Sequence, residues 1–175
     1  GRATVFQRWG NWAAAEADLR ALIAANPEDA QAYSRLGVVL FQLGKETDGY
    51  NAFVKAQELN KEMPNPYVAA ANMYQQLKDK DDKTNEKARQ AYERAYSTEA
   101  GKNDKLTVIA YSEWLIRQGE LDKAVAILNA GAKVHPQVFE IALLQGVAAE
   151  MLTSPKRRKR STTAPWPLRP ATATP

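Results

Sequence analysis

Apolar and small residues recur near the i, i+3, i+4, i+7 spacing along much of the chain. Tyr33, Leu36, Gly37 and Leu40 form one such set, Tyr50, Phe53, Val54 and Ala56 a second, and Leu121, Ala124, Val125 and Leu128 a third. The spacing predicts amphipathic α-helices, the first set lying in one over about residues 30–43, with further helices at about 12–25 and 139–152. Pro27 and Pro136 fall just past helical segments, where a ring without an N–H stops the turn. Gly37, Gly49, Gly131 and Gly146 sit inside helical segments. Each costs roughly 1 kcal/mol against alanine, and close approach of a neighbouring helix would offset that cost.

The pattern repeats. Gly10 and Gly44 are 34 residues apart, as are Ala15 and Gly49. A motif of a small residue, a large residue four on and a second residue three further, usually small, appears as Ala15, Leu19, Leu22; Gly49, Phe53, Ala56; Ala88, Tyr92, Ala95; and Ala124, Leu128, Gly131. The third and fourth sets follow at 39 and 36 residues, an excess of five and then two. The excess is expected in polar loops. One is the run KDKDDKTNEK before Ala88, and the other lies between Ser97 and Asp104.

These features resemble the tetratricopeptide-repeat family over roughly residues 5–152. The resemblance rests on Tyr33, Leu36, Gly37, Phe53 and Ala56; on Tyr67, Ala71, Tyr74, Ala88, Tyr92 and Ala95; and on Gly119, Ala124, Leu128 and Pro136. Lys61 and Ala100 stand where the family prefers proline, and Val108 and Ala142 where it prefers a large aromatic. The resemblance implies an all-α, right-handed superhelical solenoid of antiparallel helix pairs. A partial unit is expected over about 5–29, full units over 30–63, 64–104 and 105–138, and a lone helix over 139–152.

The resemblance also implies a concave groove, lined by the first helix of each pair, that holds a protein or peptide partner. By phase the lining residues would be Gln31, Ser34, Val38, Phe41 and Gln42; Asn65, Val68, Asn72, Gln75 and Gln76; and Leu106, Ile109, Glu113, Ile116 and Arg117. Amides can meet a peptide backbone as both donor and acceptor, and Phe41, Ile109 and Ile116 could seat apolar side chains. The Lys/Asn pairing with which some family members grip a terminal carboxylate is absent, leaving Arg117 as the groove's cation.

Charge changes the picture only at the end of the chain. Residues 1–152 hold all 20 acids and 18 of the 24 bases, a net charge of −2. Residues 153–175 hold six bases, no acid and five of the nine prolines, so the pI of 9.2 belongs to a tail. With so few apolar side chains the tail is expected to be disordered. Lys156–Arg160 reads as a solvated basic run that attracts polyanions without specificity, with a nuclear-import or nucleic-acid patch as the alternative. A shifted reading frame from Thr153 permits alanine, tyrosine four on, alanine three on and a later proline, the spacing of the other units. The tail is therefore a candidate frameshift product of a gene whose array continues.

The remaining chemistry is sparse. Cysteine is absent and there is one histidine, which excludes disulfides, thiolate metal sites and multi-histidine centres. His135 reads as a turn residue near helix-end carbonyls. The acid pairs Glu28/Asp29 and Asp81/Asp82 lie in polar connections without the apolar pocket a general acid needs. Asp79, Asp81 and Glu86 lack the glycine turn and spacing of a calcium loop. Trp9, Trp12 and Trp114 read as packing residues rather than a stacking platform. No cofactor, metal, catalytic residue or membrane span is expected, and the body reads as soluble, in cytoplasm or periplasm. The expected function is a non-enzymatic protein–protein scaffold. A spacer within a longer protein and polyanion binding through the tail are the alternatives.

Overall fold

The structure, a computed structural model, describes residues 11–77 and 82–153. Among these residues there are nine helices and no strand: α1 (Trp12–Ala25), α2 (Ala30–Gln42), α3 (Glu46–Leu59), α4 (Pro66–Gln76), α5 (Asp82–Tyr96), α6 (Glu99–Lys102), α7 (Lys105–Gln118), α8 (Leu121–Val134) and α9 (Phe139–Thr153). The array is all-α, as expected. The expectation of a disordered tail lies, Thr153 apart, outside the described residues.

Local chemistry sets where the helices begin. The first N–H groups of a helix lack partners within it. Asn11, Asp29, Asn65, Thr98 and Asp104 supply side-chain oxygens to those groups in α1, α2, α4, α6 and α7. Asp29, expected as solvated loop charge, accepts the Ala32 N–H at 2.9 Å. The first helices α2 and α7 end with Gly44 (φ 74°) and Gly119 (φ 79°) in the left-handed region. The turn that follows lets Lys45 N–H reach Leu40 O at 2.8 Å and Glu120 N–H reach Leu115 O at 2.9 Å. Each tight turn folds a second helix back onto its first, giving the pairs α2/α3 and α7/α8. The pair α4/α5 packs in the same way.

Two expectations about loops are corrected. The charged run before Ala88 is not all loop, because residues 82–87 are the first part of α5. Their charges form the solvated face of a helix, and Asp82 suits its N-terminus. Ser97–Asp104 contains the short helix α6. Two N-cap residues, Thr98 and Asp104, follow one another closely there, so a polar stretch encodes two helix starts.

Small residues make the contacts between helices. Gly37, Ala71, Ala88 and Ala124 are all buried. A β-carbon on Gly37 would stand 2.5 Å from the Phe53 ring, one on Gly49 2.5 Å from the Phe41 ring, and one on Gly131 2.5 Å from Val108. At such approach even a methyl group forces a neighbour to move. Gly146 breaks the expectation, since it is exposed with nothing within 4 Å. Its helix, α9, has no partner helix after it among the described residues, and Phe139, Leu143, Val147 and Met151 are exposed along it.

Successive second helices are tied by ion pairs near their ends. Lys45, at the start of α3, reaches Glu16 on α1 at 2.8 Å. Lys87 on α5 reaches Glu46 on α3 at 2.8 Å. Arg89 on α5 reaches Glu120, at the start of α8, at 2.6 Å.

Candidate interaction face

The predicted lining residues stand on α2, α4 and α7, and the structure sorts them by depth. Gln31, Gln76, Glu113 and Arg117 are exposed, while Ser34, Val38, Gln42, Asn65, Asn72, Gln75, Leu106 and Ile109 are half-buried. Phe41, Val68 and Ile116 are buried and correct the expectation that they face a ligand. Phe41 packs on Phe53 at 5.7 Å and meets Tyr74 edge-on at 5.5 Å between ring centres. The space it takes is the space Gly49 leaves open. Val68 and Ile116 join the same core as Tyr92 and Trp114. Helical phase told these three which face they share but not how far the next pair would overlap them. Asn65 is spent locally, its side chain accepting the Tyr67 N–H at 2.9 Å.

The middle of the face is organised by Tyr92, on α5. Its ring is buried, stacked on Tyr111 at 5.6 Å and beside Trp114 at 5.7 Å. Its hydroxyl donates to Asn72 Oδ1 at 2.6 Å and accepts from Gln75 Nε2. Burial pushes that hydroxyl well above the ordinary tyrosine range, with Arg117 pulling it down and Glu113 pushing it up. Asn72 and Gln75 therefore meet at one neutral O–H donor, on which the charges of Glu113 and Arg117 also act. Sequence reasoning placed Tyr92 in the core and missed its polar tip. The available signal was a phenol, rather than Phe or Leu, at the large position of its motif.

The tyrosine hydroxyl orients both amides. With Asn72 Oδ1 and Gln75 Nε2 engaged, the Asn72 amide nitrogen and the Gln75 carbonyl oxygen have no other partner among the described residues. One donor and one acceptor thus stand a single helical turn apart. His135 caps α8, its ring bonded to the Asn103 carbonyl at 2.7 Å. Among the described residues no group of three or more potential ligands could hold a metal ion, and no helix is long and apolar enough to cross a membrane.

A family model for the tetratricopeptide repeat matches residues 1–59. Residues 1–59 are similar to that repeat. The match takes in α1, α2 and α3, and the later pairs repeat the same packing, with Ala71, Ala88 and Ala124 buried where Gly37 and Gly49 are buried earlier. A comparison with curated proteins gives no match. Tetratricopeptide repeats are in general protein-interaction modules, typically non-catalytic.

Proposed function

We propose that this tetratricopeptide-repeat chain is a non-enzymatic scaffold that holds an extended segment of a partner protein against the face shared by α2, α4 and α7. The observation that carries the reading is the pair of amides oriented by Tyr92. An extended peptide offers a C=O to the Asn72 amide and an N–H to the Gln75 carbonyl, whatever its sequence. Arg117 and Glu113, exposed beside them, would read charge, and half-buried Val38, Leu106 and Ile109 would take apolar side chains.

Panning a phage-displayed library of random 12-residue peptides tests this reading. The wild-type protein should enrich binders, and Asn72→Ala combined with Arg117→Glu should weaken most of them about tenfold or more. Enriched peptides that ignore both substitutions would place binding elsewhere. An absence of enrichment would favour a spacer segment.

A further inference from the structure

On the opposite side of the repeats, neighbouring second helices leave a seam whose floor is the first helix between them. The seam occurs three times, between α1 and α3 over α2, between α3 and α5 over α4, and between α5 and α8 over α7. The same three positions of the first helix form each floor: Tyr33, Leu36, Leu40; Tyr67, Ala70, Tyr74; Val108, Tyr111, Leu115. The middle position differs most. Tyr111 packs against Tyr92, Tyr96 and Trp114 to fill the last seam, while the first, over Leu36, keeps a cleft of about 300 Å³ with Tyr33 as the one aromatic ring in its lining. Ala70 cannot fill the central one.

The result is a cleft of about 340 Å³ between α3 and α5. Phe41 and Ala70 form its floor, with Tyr50, Tyr67 and Tyr74 as aromatic walls. Tyr50 and Tyr67 meet at 5.0 Å between ring centres. The rim is cationic. Arg94 lies 5.1 Å over the Tyr67 ring and has no carboxylate partner among the described residues. Lys87 lies 5.4 Å over the Tyr74 ring and is paired with Glu46, on which Lys83 also acts. Two cations, Lys87 and Arg94, thus line the cleft beside one carboxylate. Tyr74 donates to that same Glu46 at 2.9 Å, which holds its ring against the wall.

We propose that this cleft is a second binding site, distinct from the face of α2, α4 and α7, and that it takes an acidic segment of a partner protein by seating one aromatic side chain among the three tyrosines with flanking carboxylates on Arg94 and Lys87. Aromatic walls recognise a flat apolar group, and excess positive charge at the rim selects anionic neighbours. The volume suits a single large side chain rather than a helix.

The test uses three fluorescein-labelled probe peptides: Asp-Glu-Trp-Glu-Asp, the same peptide with alanine for tryptophan, and the same with asparagine and glutamine for the acids. Fluorescence anisotropy on the full chain should show the first bound at least about tenfold more tightly than either other. Arg94→Glu and, separately, Ala70→Leu should abolish that preference. Ala70→Leu narrows the cleft at its floor, and a single cooperative helical melting transition, no lower than that of the wild type, will show that it folds. Asn72→Ala with Arg117→Glu should leave the preference intact, which separates this site from the one proposed above. No saturable binding, equal binding of all three peptides, or a preference that survives Ala70→Leu would overturn the proposal.

Discussion

The α3–α4–α5 seam and the α5–α7–α8 seam are built from the same repeat positions and end in opposite states. In the later seam Trp114 and Tyr111 are buried, and Arg89 lies 5.0 Å over the Trp114 ring while pairing with Glu120. In the earlier one, Ala70 leaves three tyrosines around open space. A repeat unit therefore specifies where a seam lies, while the side chains of its floor and walls together decide whether it is core or cleft; over Leu36 the first seam still keeps about 300 Å³ open. The apolar contacts in the first case stabilise the stack, and in the second the same kinds of residue remain available to a ligand.

The comparison can be broken most forcefully at its buried end. Trp114→Ala should cost about 3–5 kcal/mol in urea unfolding, because a fully buried indole leaves a cavity. Tyr74→Ala, on the half-buried wall of the open seam, should cost roughly 1–2 kcal/mol. Equal losses would mean the two seams are not different in kind.

A smaller effect is expected from acid. Glu16 is held below the ordinary carboxylate value of 4.5 chiefly by its hydrogen bond from Lys45, and Glu120 chiefly by that from Arg89. For Glu46 burial opposes the charge, but Lys87 and Tyr74 outweigh it. Each group protonates more readily unfolded than folded. Their stabilisation is present above pH 4.5 and is lost as the pH falls below that value through the lowered ones. Such partly exposed pairs contribute about 1 kcal/mol or less each. Glu120→Gln should flatten the acid limb of a stability–pH curve, and an unchanged limb would remove that ion pair from the account. The smallest change expected is Ala70→Leu, which should raise stability by about 0.5–1 kcal/mol if the open seam accepts the added methyls, as read from the same urea curves.

Much of the architecture was legible because small residues at fixed spacing have few uses other than close helix contact. Gly37, Ala88 and Ala124 announced their burial that way. Helix starts inside polar stretches were harder. Thr98 and Asp104 look like loop until their side chains are seen capping N–H groups, and residues 82–87 look like an insertion until Lys87 is seen reaching Glu46. Helical phase could not give depth, which is why Phe41, Val68 and Ile116, expected at the surface, lie in the core. The cleft was not legible at all. Its walls come from helices about 40 residues apart, and its open space depends on side chains of both as well as on Ala70 between them.

The bridges between successive second helices change sign along the chain. Glu46 offers a carboxylate forward to α5, whereas α5 offers Arg89 forward to Glu120. Were the α7/α8 hairpin to skip its neighbour and dock directly on α2/α3, Glu120 would confront Glu46, acid against acid. Units so alike in backbone are at risk of assembling in the wrong order, and this single reversal at α5 penalises a stack that leaves out the α4/α5 pair while leaving the correct sequence of docking unopposed.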